Sequence, residues 1–404
     1  MRVAVLNVKF SPNLGDGLLA ECLEAELRTA IPGLETVPID LAGRTGYGEG
    51  GMRNRRMALT VLDAMPGPLR QLAVRVMLGL VARRQLRPAW RQLLSGVDAV
   101  VLGGGNLLSD SDLNFPIKIR AALAEAGLAK RPVGVFGVGV ADNWSSTGQA
   151  MLRQALGGVA LCYASVRDAR SQAIWRKRLG PANIIDPVVC RDPAVLTARH
   201  FPTAAKDGGE PRIALGLTEP LALRYHSDLP LAASKALTDW MIGLAEAMLA
   251  KGWRVSVFTN GSPEDRTYLE NLTPRLKALS DKGLEVAPAF ETPADLARFI
   301  SGHDLVMAHR LHACICAFAY AIPTIGFTWD RKLNSFFESV GRQDYVLEAG
   351  VKSIDDTMDL VNRTLAEGVE PTAHAAIVAE SRAQVAALAA ALQNDGVDRP
   401  SAVA

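Results

Sequence analysis

The stretch Asp304-Leu305-Val306-Met307-Ala308-His309-Arg310-Leu311-His312-Ala313-Cys314-Ile315-Cys316-Ala317-Phe318-Ala319-Tyr320-Ala321-Ile322-Pro323-Thr324-Ile325-Gly326-Phe327 decides the fold. Residues 304–307 make a short buried strand and residues 313–321 an apolar helix. Ile322-Pro323 ends the helix, and residues 324–327 begin a second strand. His309, Arg310 and His312 therefore sit where a strand's carboxyl end meets a helix amino end. In open α/β sheets that crevice is where ligands bind, and the helix dipole there favours anions. Arginine adds a planar fork that suits carboxylate or phosphate. A histidine at this point could instead only cap the helix, but three polar side chains beside so apolar a run call for a reason.

Outward from that unit, short apolar runs alternate with helix-period segments, the mark of parallel βαβ units. Strands are expected at residues 2–8, 36–39, 99–102, 133–136, 161–166 and 184–185, with helices at 18–30, 116–126, 147–156 and 170–179. Residues 201–211, rich in small and turn residues, read as a linker. The pattern then restarts, with strands at 212–217 and 254–258 and helices at 231–250, 263–280 and 294–300. An alanine-rich helix at about 373–393 is expected to pack back on the first domain, followed by a frayed tail. The division is thus 1–201 for an N-terminal Rossmann-like domain, 202–211 for the linker, 212–370 for a second such domain, and 371–404 for the last helix and tail. The fold class is α/β, two doubly wound domains facing a cleft, as in GT-B-like proteins.

At 404 residues the chain is too long for one hydrophobic core. With 49% hydrophobic and 21% charged residues it has the composition of a globular protein. A net charge of +2 and no basic run interleaved with aromatics leave no nucleic-acid footprint. Five scattered cysteines point to a reducing compartment. Cys314 and Cys316, two apart on a helix, face different ways and read as core, so no metal is expected. The first nine residues are too short and too charged for a signal peptide, and the longest uncharged stretch, residues 313–329, contains a proline and falls short of a membrane span. The expectation is a cytoplasmic protein, at most touching the inner face of the cell membrane. The one segment that invites such contact holds Arg70, Arg75, Arg83, Arg84, Arg87 and Arg91 among apolar residues such as Leu62, Leu69, Leu72, Val74, Val76, Leu78, Leu80, Val81, Leu86 and Trp90. It reads either as a basic amphipathic helix lying on an anionic membrane or as a solvated arginine face whose other side packs on a sheet.

Further polar groups cluster at strand ends. Gly103-Gly104-Gly105 and Gly137-Val138-Gly139 follow strands, where backbone amides can approach an anion or simply turn the chain. Neither has the G-x-G-x-x-G spacing or a downstream acid, which argues against a nicotinamide cofactor, and no G-K-[ST] phosphate loop is present. Asp16 can be an ordinary helix cap. Arg167 can brace Asp168 or clamp an anion. Lys332 can be a solvated surface lysine or reach the same crevice as His312. Glu219 and Arg224 follow the second domain's first strand.

His309-Arg310-Leu311-His312-Ala313, Pro323 and Trp329-Asp330-Arg331-Lys332, together with Asn13-Leu14-Gly15-Asp16, Gly103-Gly104-Gly105-Asn106-Leu107, Gly137-Val138-Gly139 and Ser165-Val166-Arg167-Asp168 with Ser171, resemble the landmarks of the polysaccharide pyruvyl transferases, in order along residues 5–340. The chain departs from that pattern at Ala321, where the family has the glycine of G-x-P, at Trp329, where it has tyrosine, and at Thr218-Glu219, where many members have an arginine. The resemblance implies phosphoenolpyruvate as donor substrate, with no cofactor and no metal, and a saccharide acceptor, free or lipid-linked. It implies catalysis by His312 with Arg310, and His309 either assisting or structural. Donor contacts would come from Arg167, Arg310, Leu311, Lys332, Gly104, Gly105 and Gly139, and acceptor contacts from Asn13, Asp16 and Asn106. A sugar-nucleotide glycosyltransferase of the same two-domain shape, or a catalytically silent binding protein, are the alternative readings.

Overall fold

The computed structural model describes residues 1–48, 67–180, 184–206, 208–221, 223 and 234–394, with side chains from Ala73 onward in the arginine-rich segment. Arg70 and Arg224 thus lie outside what is described at the side-chain level. The chain divides into two compact units. One comprises Met1–Phe10, Leu19–Pro193 and Ser381–Ala404, the other Ser11–Leu18 and Ala194–Glu380.

The first unit holds a six-stranded parallel sheet of β1 (Arg2–Asn7), β2 (Glu35–Asp40), β3 (Ala99–Gly103), β4 (Pro132–Val138), β5 (Ala160–Val166) and β6 (Val188–Val189), in the order β2-β1-β3-β4-β5-β6. Val3 to Leu6 and Ala99 to Leu102 are fully buried, as strands covered by helices on both faces must be. The second unit holds β7 (Arg212–Gly216), β8 (Arg254–Phe258), β9 (Leu284–Val286), β10 (Leu305–Ala308), β11 (Thr324–Phe327) and β12 (Val346–Leu347), again all parallel, in the order β12-β11-β10-β7-β8-β9. The α/β, doubly wound class expected from the sequence is the one observed.

Four local expectations are corrected. The first helix begins at Leu14 rather than residue 18. The sixth strand is not Ile184-Ile185 but Val188-Val189, which pairs with Ser165-Val166. The Ile185 carbonyl instead accepts the indole N–H of Trp175 at 3.1 Å. The helices Arg331–Ser339 and Ile354–Glu367 and the short β9 and β12 had no counterpart in the expected elements. The linker is displaced as well, since the chain changes unit at Pro193/Ala194. Beyond that point the Tyr320 hydroxyl donates to the Phe201 carbonyl at 3.3 Å, and the Ser301 hydroxyl accepts the Ala204 N–H at 2.9 Å, so these residues are pinned to the second unit.

The last helix, Pro371–Asn394, is shared: residues before Ser381 count with the second unit, later ones with the first. By length and composition it could cross a membrane. Its Val385, Leu388 and Leu392, however, are fully buried in one apolar cluster with Val3, Val5, Val101 and Phe136.

Candidate active site

Parallel sheets expose ligand crevices where the strand order reverses. In the second sheet that place lies between β7 and β10. Arg310 follows β10 and caps the helix Leu311–Ala319 in an extended backbone conformation. Its guanidinium is held by Asp265, from the first turn of the helix Pro263–Lys277. Arg310 Nε donates to Asp265 Oδ2 at 2.9 Å, and Nη2 lies 2.7 Å from the same oxygen. Asp265 Oδ1 accepts the backbone N–H of Glu219, just past β7, at 3.0 Å. One fully buried carboxylate therefore ties together the exits of both strands at the reversal. Burial pushes its pKa up, and Arg310 pulls against that shift. Nothing in the sequence reading had singled out Asp265.

Leu311 opens the helix that carries His312. The turn Asn13-Leu14-Gly15-Asp16 belongs to this same unit. The Leu14 N–H donates to the Asn260 carbonyl at 2.9 Å. A β-carbon added at Gly15 would lie 2.4 Å from the β-carbon of His312, so only glycine allows this approach. Asp16 Oδ1 stands 4.0 Å from His312 Nδ1, an ion-pair distance rather than a hydrogen bond. Two residues nearly 300 positions apart are thus neighbours. Asn13 Oδ1 and Asn260 Nδ2 are both buried without a hydrogen-bond partner among the described residues, which is unusual for native polar groups.

His309 is placed differently. It is buried, its ring packs on Phe327 with centroids 5.0 Å apart, and burial depresses its pKa to about 3. Of the two roles open to it, this surrounding favours the structural one. The His309 carbonyl accepts the indole N–H of Trp329 at 2.6 Å, which gives the Trp329 departure a bracing task between the ends of β10 and β11. Lys332 lies in the first turn of the helix Arg331–Ser339, its ammonium 2.8 Å from Asp330 Oδ2, while Asp330 Oδ1 caps that helix by accepting the Lys332 N–H at 2.7 Å.

The first unit gathers a second group. Gly104 and Gly105 both have φ of +71°, a conformation that favours glycine. The Gly104 N–H donates to the Phe136 carbonyl and the Gly139 N–H to the Gly105 carbonyl, each at 2.7 Å. These two amides are therefore spent within the fold, and the expected glycine cradle for an anion narrows to Gly105. Arg167 Nε lies 3.3 Å from Asp168 Oδ2, and its Nη2 lies 3.4 Å from Asn106 Oδ1. The guanidinium lies over Gly139, where a β-carbon would come within 2.6 Å of it. Asp168 also caps the helix Ala169–Leu179 by accepting the Ser171 N–H at 2.6 Å. Asn106, expected to bind acceptor, and Arg167, expected to bind donor, are thus immediate neighbours. Among the described residues no three His, Cys, Asp or Glu side chains are arranged to hold a metal ion.

The polysaccharide pyruvyl transferase family matches residues 13–331, most of the chain. The chain belongs to that family. The match runs from Asn13, beside the His312 turn, to the residue before Lys332. No curated protein matches this pyruvyl transferase family member in sequence. In fold it is similar to UDP-GlcNAc 2-epimerase from Neisseria meningitidis, at 11% identity and TM-score 0.52, covering 98% of this chain and 100% of that one. A putative UDP-N-acetylglucosamine 2-epimerase from Listeria monocytogenes gives 11% identity and TM-score 0.54, covering 99% and 97%. The enzyme from Methanocaldococcus jannaschii gives 11% and 0.52, covering 92% and 94%. At such identities the likeness concerns the fold, and it agrees with the GT-B-like class. Membership of the family makes the chain a transferase.

Proposed function

We propose that this transferase moves the pyruvyl group of phosphoenolpyruvate onto two hydroxyls of one sugar, forming a cyclic ketal and releasing phosphate. The observation that carries the reading is the His312–Asp16 and Arg310–Asp265 constellation at the strand reversal of the second sheet, in a chain of this family. Arg310 offers a planar fork to the donor's carboxylate or phosphate, and Asp265 fixes the orientation of that fork. Lys332 supplies a second cation, held by Asp330. The helix amino end at Leu311 favours the same anion.

In the proposed reaction His312 delivers a proton to the methylene carbon of the enol, leaving an oxocarbenium-like centre at the adjacent carbon. A sugar hydroxyl attacks that carbon. The carbon–oxygen bond to phosphate breaks, and a second hydroxyl of the same sugar closes the ketal. One hydroxyl proton replaces the proton given to the methylene carbon, and the other leaves with phosphate. Histidine suits such proton traffic near neutrality, and Asp16 would balance the charge of the protonated ring. His309, buried against Phe327, stays outside this traffic. Arg167, with Asn106 and Gly139, remains in the proposal as a separate anion-handling group. The acceptor is proposed to be a polysaccharide precursor, free or lipid-linked, made in the cytoplasm.

The test is phosphate release from phosphoenolpyruvate in the presence of a panel of free and lipid-linked glycosides, with mass spectrometry of the sugars. Acceptor-dependent phosphate together with a pyruvyl-bearing sugar is expected. Turnover of a sugar nucleotide in place of phosphoenolpyruvate would sink the reading.

A further inference from the structure

Between residues 64 and 97 the chain carries six arginines and no acidic residue, although the whole molecule is only +2. The described part folds as the helix Gly67–Val81, a π-helical turn Ala82–Leu86 and the helix Arg87–Ser95. One side is ordinary core, with Leu86, Trp90 and Leu94 buried. The other side is not. Val76, Met77, Leu80 and Leu93 are 54%, 43%, 45% and 43% exposed, a concentration of large apolar side chains that water does not favour.

Beside them opens a cavity of about 320 Å³ lined by Gly79, Arg83, Arg87, Ile117, Arg120 and Gln154, among others, with no acidic side chain in its wall. Val76, Gly79, Leu80 and Arg83 recur at three- and four-residue steps, so exposed Val76 and Leu80 lie on the helix face that lines the cavity. Two of the arginines are spoken for. Arg87 and Arg91 both bind the buried Glu125, at 2.7 and 2.8 Å, and Arg91 and Arg87 hold that carboxyl below its ordinary range. Arg83, Arg84 and Arg120 are exposed and form no ion pair among the described residues.

We propose that this face docks on an anionic lipid bilayer, the exposed apolar side chains entering the headgroup boundary and the Arg83–Arg120 cavity receiving a lipid phosphate. The juxtaposition selects this partner. A soluble polyanion would be served by arginines alone, whereas basic residues rimming exposed aliphatic ones suit the interface of a charged membrane. The proposal does not depend on the transferase reading. If that reading holds, it implies a membrane-borne acceptor.

Sedimentation of the full chain with sucrose-loaded vesicles tests it, using phosphatidylcholine alone and phosphatidylcholine mixed with phosphatidylglycerol. The protein should pellet with the mixed vesicles and not with the neutral ones, and high salt should release it, since exposed charges are screened beyond about 10 Å at 0.1 M. The pair Arg83→Gln with Arg120→Gln should weaken partitioning roughly thirtyfold, about fivefold for each arginine. Leu80→Gln should weaken it with no change in the salt dependence. Thermal melting of these variants should match the parent, because all three side chains are exposed. Transfer to a water-soluble acceptor should be unaltered in each variant, which separates failure of docking from failure of catalysis. Native protein that stays in the supernatant, pellets equally with neutral vesicles, or binds heparin but no vesicle would overturn the proposal.

Discussion

At the strand reversal of the second sheet, between β7 and β10, Asp265 joins the exits of two strands and grips Arg310, whose side chain remains 20% exposed. The first sheet reverses between β1 and β3, and what stands there is of another kind. Lys9 and Glu24 form an ion pair at 2.9 Å with side chains only 11% and 4% exposed, and Gly104 turns its amide back onto Phe136. Both reversals contain a charged pair near the end of a strand. Only one leaves part of the cation facing outward. A buried pair whose two members are both sealed serves packing, while a buried carboxylate holding a half-open arginine can orient it for a ligand. The contrast also qualifies a simple count of positive groups. Arg310 and Lys332 in the second unit, and Arg167 in the first, each have a carboxylate beside them, so each unit's cations are ordered at least as much as they are charged.

That contrast breaks most sharply at His312. His312→Ala is expected to lower turnover about 10²–10⁴-fold while the melting temperature stays put, and phosphate release under saturating donor reads it directly. Near-native turnover would remove the second sheet's reversal from the chemistry.

Asp265→Ala strands Arg310 without its partner, and losing one member of a buried pair costs about 3–5 kcal/mol, readable in urea unfolding. Arg310→Lys keeps the charge and loses the fork, so KM for phosphoenolpyruvate should rise. Arg167→Lys in the first unit should raise KM less, because its contacts are longer, at 3.3 and 3.4 Å. Equal effects from the two lysine variants would erase the distinction between the two units.

Acid should separate the units next. All six histidines fall between His200 and His374, within the range of the second unit. Burial depresses His303 to a pKa of about 4 and His309 to about 3. Unfolded, each would take up a proton near pH 6.5. Between those values the unfolded chain binds more protons, so stability falls as pH drops from about 6.5 towards 4. His303 alone would account for on the order of 3 kcal/mol by pH 4. Segment-resolved hydrogen exchange should show the second unit loosening first, and simultaneous loosening of both units would contradict this account.

The smallest effect concerns Ala321, whose φ of +55° places it in the left-handed region. Glycine avoids a cost of roughly 1–2 kcal/mol there but loses more chain entropy on folding. Ala321→Gly is therefore expected to raise stability by about 1 kcal/mol in a denaturant titration.

That residue shows how legible the sequence was. The departure from G-x-P was visible in the chain, but only the backbone reveals a helix end that still makes the turn of a glycine. The alternation of apolar runs and helices marked nine of the twelve described strands close to where they lie, because buried parallel strands write themselves as continuous apolar residues. Val188 and Val189 escaped since, at 51% and 42% exposure, they carry no burial signal, while the more apolar Ile184-Ile185 drew the strand assignment. β9 and β12, at three and two residues, are too short to show a period. Asp265 was hidden by ordinary grammar, for an acidic residue in the first turn of a helix usually serves the dipole. Its task depends on Arg310, 45 positions later, and no local pattern couples the two. His309 and His312 stand in one motif, and only burial tells the packed ring from the one proposed to carry protons.

The division of the last helix carries a consequence for the order in which the protein is made. Val385, Leu388 and Leu392 complete the apolar cluster over β1, β3 and β4, yet they leave the ribosome about 190 residues after the rest of that unit. While the second unit is being synthesised, the nascent first unit must wait with one face of its sheet only partly covered, by Leu23, Leu27 and Ile31. Its completion is therefore a late event, and exposure to chaperones and proteases is greatest in the interval before that helix arrives.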